Sequence, residues 1–187
     1  MPNWNQIIDK LDYAFQPIIH SHTGKLYAVE ALIRNVQNIS GLNAIDDLFN
    51  MAFNDDYLYE LDLQLREKAI KKFSNIKIED LKLFYNLDNR IIYNKTFSYG
   101  NTSKILKKYK LNKSVICFEL SEKGTAIEQN ALSTMIQRYK EEGFSIAIDD
   151  FGIGVSGLKL LYFSEAQIIK LDRFFISNID QEKKKKL

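Results

Sequence analysis

Apolar side chains recur along the chain in two alternating rhythms. Short runs rich in aliphatic, β-branched and aromatic residues, at 15–19, 26–33, 81–87, 115–120, 144–148 and 168–171, predict strands. Between them lie stretches with helical spacing. Residues 44–73 place Leu61, Leu65 and Ala69 on one face, with Glu67 and Lys71 at i,i+4 on another. Further helices are predicted at 102–109, at 126–142 with Gly143 as the residue that stops it, and at 157–162. The first two strands flank His20-Ser21-His22-Thr23-Gly24-Lys25, which reads as a hairpin loop with Gly24 at positive φ. Strands this apolar are not half-exposed, so the alternation predicts an α/β fold in which helices wrap a mostly parallel sheet.

Composition narrows the classes without naming one. The 187 residues are 45% apolar and carry 26 basic against 24 acidic side chains, a net charge of +2. That balance argues against DNA, because a phosphate-backbone binder shows a net-basic stripe. No run approaches the roughly 18 apolar residues of a membrane span, and the first ten residues lack an apolar export segment, so the expected location is cytoplasmic. The single cysteine, Cys117, excludes an intrachain disulfide and a cysteine-based zinc site. No Pro/Gly/Ser-rich linker or repeat interrupts the chain, which predicts one domain over 1–187 ending in a basic tail at 181–187.

The informative detail is where polar residues sit within the strands. Side chains alternate faces along a strand, so Ala28 shares a face with Glu30, Phe84 with Asn86, Cys117 with Glu119, Ala147 with Asp149, and Ile168 with Lys170. Each polar residue comes at or near the end of its run. Parallel strands put their C-terminal ends together, so these five groups converge on one mouth of the sheet. An acid at one strand end is ordinarily solvated or caps a helix, but matching strand ends concentrate charge. Three carboxylates aimed at one point repel unless a cation lies between them, and oxygen-only ligands favour Mg²⁺ or Mn²⁺ over zinc. Asp149 and Asp150 are adjacent, so one can bridge two ions while the other binds the second, an arrangement suited to two-metal phosphodiester hydrolysis. Lys170 is placed to hold the attacking water, or to deprotonate it if metals and burial lower its pKa. His20 and His22 read as exposed turn residues. Cys117 reads as a core residue whose pKa the neighbouring acids raise.

Glu30-Ala31-Leu32 with Ile33-Arg34, Glu119-Leu120-Ser121-Glu122, Asp149-Asp150-Phe151-Gly152-Ile153-Gly154 and Lys170-Leu171-Asp172 resemble, in order and spacing from about Gln16 to Arg173, the motifs of EAL domains, the cyclic-di-GMP-specific phosphodiesterases of bacteria. The resemblance implies a TIM-like β/α barrel that opens cyclic di-GMP to the linear dinucleotide pGpG with Mg²⁺ or Mn²⁺. It implies Glu30, Asn86, Glu119 and Asp149 as first-metal ligands, with Asp149 bridging and Asp150 serving the second metal. Lys170 would handle the nucleophilic water, Glu122 would anchor the loop after the paired aspartates, and Gln16 and Arg34 would contact substrate, the arginine at a phosphate. Family members are often homodimers regulated by attached sensor domains.

The sequence departs from the family in three places, one of them the segment 35–43, which lacks the prolines common there. Ile153, Val155 and Gly157 stand where the family commonly carries hydroxyls. The pattern also stops soon after Lys170-Leu171-Asp172, so the expectation is a barrel lacking its last two strands, the first of which carries a Glu-Gly-Val-Glu-like second-metal motif. Three readings follow: a phosphodiesterase domain, a degenerate module that binds cyclic di-GMP or a protein without hydrolysis, and a frameshifted fragment, which the lysines at 183–186 would suit.

Overall fold

The structure is a computed structural model describing residues 2–121, 129–154, 157–182 and 185; Glu122, Val155, Ser156 and the tail lysines Lys183, Lys184 and Lys186 lie outside the described residues. Six strands form one sheet in chain order: β1 (Asp12–Ile19), β2 (Leu26–Arg34), β3 (Lys82–Asn86), β4 (Ile116–Ser121), β5 (Ser145–Phe151) and β6 (Ile168–Leu171). β1 and β2 form the antiparallel hairpin, and every later neighbour is parallel. The hairpin closes as the sequence predicts. Gly24 has φ +67 and its amide donates to the His20 carbonyl at 2.9 Å.

The helices are α1 (Trp4–Lys10), α2 (Ile45–Asn54), α3 (Leu58–Phe73), α4 (Asn101–Lys108), α5 (Gln129–Glu141), α6 (Gly157–Ser164) and α7 (Arg173–Ile176). The predicted helix at 44–73 is two helices. Asp56 takes φ +55, and the amides of Asp56 and Tyr57 bond back to Phe53 and Ala52, a Schellman stop that apolar periodicity does not reveal. Gly143 ends α5 by the same device, with φ +96. α1 and α7 were not anticipated. Each is short and is set by its cap: Asn3 accepts from the Gln6 amide and Asp172 from the Phe174 amide.

Two cores follow from strand alternation. On the helix-facing side, Leu83, Tyr85, Ile116, Phe118 and Ile146 pack with Leu61, Leu65, Ala69 and Ile70 of α3 and with Met135, Ile136 and Tyr139 of α5. On the opposite face, Ala28, Phe84, Cys117 and Ala147 form a small cluster joined by Ile18 and Ile168. The first core also encloses charge. Asp62 and Arg66 are an ion pair with side chains 0% and 1% exposed, and Arg66 donates to Thr102 Oγ1 at 2.5 Å while its guanidinium lies 5.0 Å from the Phe118 ring centre. The expected Glu67–Lys71 support is replaced. Glu67 accepts from Lys108 at 2.5 Å and Tyr109 at 3.0 Å, so it ties α3 to the end of α4.

At the far end of the sheet, β6 alternates half-buried and exposed, with Ile169 and Leu171 42% and 56% exposed. Near the chain end Lys185 does not behave as a solvated charge: it donates to the Ser177 carbonyl at 2.9 Å and lies 4.9 Å over the Phe174 ring. Among the described residues, no helix is long and apolar enough to cross a membrane.

Candidate active site

The small inner cluster aims the polar groups. Each of Glu30, Asn86, Glu119, Asp149 and Lys170 comes two residues after an inner-face apolar side chain, Ala28, Phe84, Cys117, Ala147 and Ile168 respectively, and so emerges on the same face one step further along its strand. Register sets their heights. Asn86 is level with Glu119, and Glu119 with Ala147, so Asp149 stands one step beyond; Gln16 of β1 lies directly opposite Glu30.

Glu30, Glu119 and Asp149 bring one carboxylate oxygen each within 4.8 Å of one another. The Lys170 ammonium enters this group from β6, at 3.0 Å from Glu30 and 3.0 Å from Asp149, and pairs with Glu119 as well. Asn86 joins through its amide nitrogen, 3.3 Å from Glu30 Oε1. A half-turn of the amide about its last bond presents its oxygen instead. Asp150 does not join the three carboxylates. The strand bulges between Ile148 and Phe151, Asp150 takes φ +52 with its amide on Asp149 Oδ1 at 3.0 Å, and its side chain borders the neighbouring cleft.

Burial dominates the electrostatics. Glu119 is 1% exposed, and desolvation, reinforced by the charges of Glu30 and Asp149, pushes its carboxyl up to about 8 against the pull of Lys170. Burial opposes the charge on Lys170, but Glu119, Asp149 and Glu30 outweigh it and hold the ammonium above the usual lysine value. Burial, then Glu119, pushes the Cys117 thiol up to about 12, as an inert core residue requires.

Among the described residues, nothing donates a hydrogen bond to the buried Glu119 Oε2. An orphaned buried carboxylate oxygen beside two further carboxylates fits a hard divalent cation, since oxygen donors are what Mg²⁺ and Mn²⁺ take and burial without a partner is costly. Glu30, Glu119 and Asp149 fit such an ion directly.

Beside the cluster opens a cleft of about 730 Å³ lined in part by Arg34, Asn86 and Asp150. Arg34 is exposed, and Gln16 is exposed on β1. The cleft also holds Asp88 and Arg90, which the sequence reading missed. Arg90 Nη2 pairs with Asp88 at 2.6 Å and Nη1 donates to Asn50 at 2.7 Å. Their signal was the continued alternation Asn86, Asp88, Arg90 past a strand end. His20 and His22 remain at the hairpin turn, both exposed.

Residues 5–187 match the family model described as the EAL domain. A relative from Escherichia coli strain K12, "Probable cyclic di-GMP phosphodiesterase PdeI", is 27% identical over 179 residues, which are 92% of this chain and 22% of that protein. A solved structure of a standalone versatile EAL protein from Vibrio cholerae O395, in its c-di-GMP bound form, is 31% identical with a TM-score of 0.76, covering 94% of this chain and 72% of that one. The Klebsiella pneumoniae BlrP1 manganese/cy-diGMP complex shares the fold at a TM-score of 0.80 and 23% identity, covering 94% of this chain and 44% of that one. The chain thus spans only a minor part of the curated relative.

Proposed function

The chain belongs to the EAL domain family, and we propose that it hydrolyses cyclic di-GMP to linear pGpG in a divalent-metal site built at the ends of β2 to β6. The observation that carries this reading is the group of Glu30, Glu119 and Asp149 within 4.8 Å with Lys170 among them. The Escherichia coli, Vibrio cholerae and Klebsiella pneumoniae relatives, a probable cyclic di-GMP phosphodiesterase and two cyclic di-GMP complexes, supply the substrate.

Each residue has a role set by its chemistry. Glu30, Glu119, Asp149 and, after amide rotation, Asn86 would hold one Mg²⁺ or Mn²⁺, and Asp149 and Asp150 a second. Bound there, such ions supply Lewis-acid stabilisation of phosphoryl charge and lower the pKa of water. Lys170, whose amine lies among the three carboxylates, would serve as a donor that orients the water oxygen and stabilises charge on the phosphoryl oxygens. In the reaction, the water oxygen forms a bond to phosphorus, the P–O3′ bond breaks, and the 3′-oxygen leaves with a proton. Arg34, exposed at the cleft, is suited to a bidentate phosphate contact, and Gln16 to the substrate opposite Glu30. Glu122 is assigned the loop-anchoring role by family resemblance.

The test is incubation of the purified chain with cyclic di-GMP and Mn²⁺, followed by chromatography for pGpG. The expected result is a linear product that needs the metal and disappears in Glu30→Gln. Binding of cyclic di-GMP without product overturns hydrolysis and leaves the binding-module reading.

A further inference from the structure

The loop that carries Asp149 and Asp150 is held from behind by a short segment of β6 and α7. Lys170 reaches the acid cluster from β6. Two residues on, the Asp172 amide donates to the Phe151 carbonyl at 3.2 Å, and Asp172 then caps α7 by accepting from the Phe174 amide at 2.7 Å. The turn carries Phe175 onto Gly152. A Cβ at Gly152 would stand 2.5 Å from Phe175 Cε2 and 3.0 Å from Cζ, and Gly152 has φ +105, so the backbone favours glycine here and any larger residue would displace the ring. Asp150, with φ +52, and the bulge between Ile148 and Phe151 show that this loop has left regular strand geometry. A non-glycine residue in the left-handed region persists only where its surroundings over-determine it.

We propose that Phe175 is a positioning residue: its ring, seated on Gly152, fixes the backbone of 149–152 and with it the direction of Asp149 into the acid cluster and of Asp150 along the cleft beside it. The inference rests on the metal-site reading above and adds a residue that touches neither metal nor substrate. Metal sites depend on such supports, because carboxylates that swing freely must be ordered at the cost of affinity. Phe175 is only half-buried, so shortening it need not unfold the sheet.

The test compares wild type, Phe175→Ala and Phe175→Leu by Mn²⁺ titration followed by electron paramagnetic resonance, by amide hydrogen exchange over 149–154 without metal, and by steady-state kinetics. Phe175→Ala is expected to weaken Mn²⁺ binding by about 10- to 100-fold. It should also speed exchange in the loop and lower kcat with little change in KM, while Phe175→Leu restores most of each. Wild-type affinity and exchange in Phe175→Ala overturn the proposal, even where pGpG is formed. Shifted affinity and exchange in a protein that never forms pGpG uphold the positioning role and overturn the phosphodiesterase reading. A wild-type protein that binds no Mn²⁺ overturns both.

Discussion

The ammonium of Lys170 stands 3.0 Å from a carboxylate oxygen of Glu30, a residue 140 positions earlier in the chain. Parallel strand order brings the two together, and Glu119 and Asp149 complete an acidic surround for the ammonium. That geometry favours a donor over a base. Lys170→Ala is expected to lower kcat by about 10²–10³-fold, the loss typical of one electrostatic donor, with a smaller change in KM. Steady-state kinetics at saturating Mn²⁺ decide the point; a proportional rise in KM with unchanged kcat would make Lys170 a substrate clamp.

Loss of a proposed metal ligand should be visible without any substrate. An ion that binds only the folded state raises the unfolding temperature by mass action. Mn²⁺ is therefore expected to stabilise the wild type but not Glu30→Gln or Asp149→Asn, and neither variant should release pGpG. Thermal unfolding with and without Mn²⁺ checks this, and an undiminished shift in both variants would remove these carboxylates from the site.

The Asp62–Arg66 pair predicts a stability effect independent of catalysis. With both side chains essentially unexposed, removing one charge strands the other in a core of Tyr85 and Phe118. Arg66→Met is expected to cost about 3–5 kcal/mol. Asp62→Leu combined with Arg66→Met should cost less than Arg66→Met alone, because no buried charge is left behind. Urea unfolding of the two variants provides the comparison, and equal losses would show that packing, not the stranded carboxylate, sets the cost.

Much of this arrangement was legible in the sequence because strand periodicity is strict. Glu30, Glu119, Asp149 and Lys170 are separated by tens of residues, yet each sits two positions beyond an apolar inner-face residue, and the period of two then dictates that they meet. What alternation cannot convey is backbone sign and partner choice. Asp56 and Asp150 both take positive φ without being glycine, so neither the break between α2 and α3 nor the bulge that turns Asp150 from the other acids has a compositional marker. Partner choice escaped for a similar reason. Glu67 has Lys71 one helical turn away but pairs with Lys108, which only tertiary packing brings near. The Asp62–Arg66 pair carries no marker of its burial beyond i,i+4 spacing, because only packing against the sheet encloses it.

Helix α2 begins with a carboxylate whose work depends on pH. Asp47 Oδ2 accepts from the amides of Asn43 at 2.8 Å and Ala44 at 2.9 Å, and these bonds hold its pKa below the ordinary value of 3.8. The sign follows from linkage: above 3.8 both folded and unfolded chains carry the ionised group, and the folded chain alone gains the two hydrogen bonds. As pH falls from 3.8 through the lower folded-state value, the unfolded chain takes up the proton first and the advantage is lost. Asp47→Ala should therefore lower the unfolding midpoint in urea most at neutral pH, and the gap to wild type should narrow steadily in acid below 3.8. A gap of constant size across that range would mean that the side chain stabilises α2 by packing, and that its charge contributes nothing.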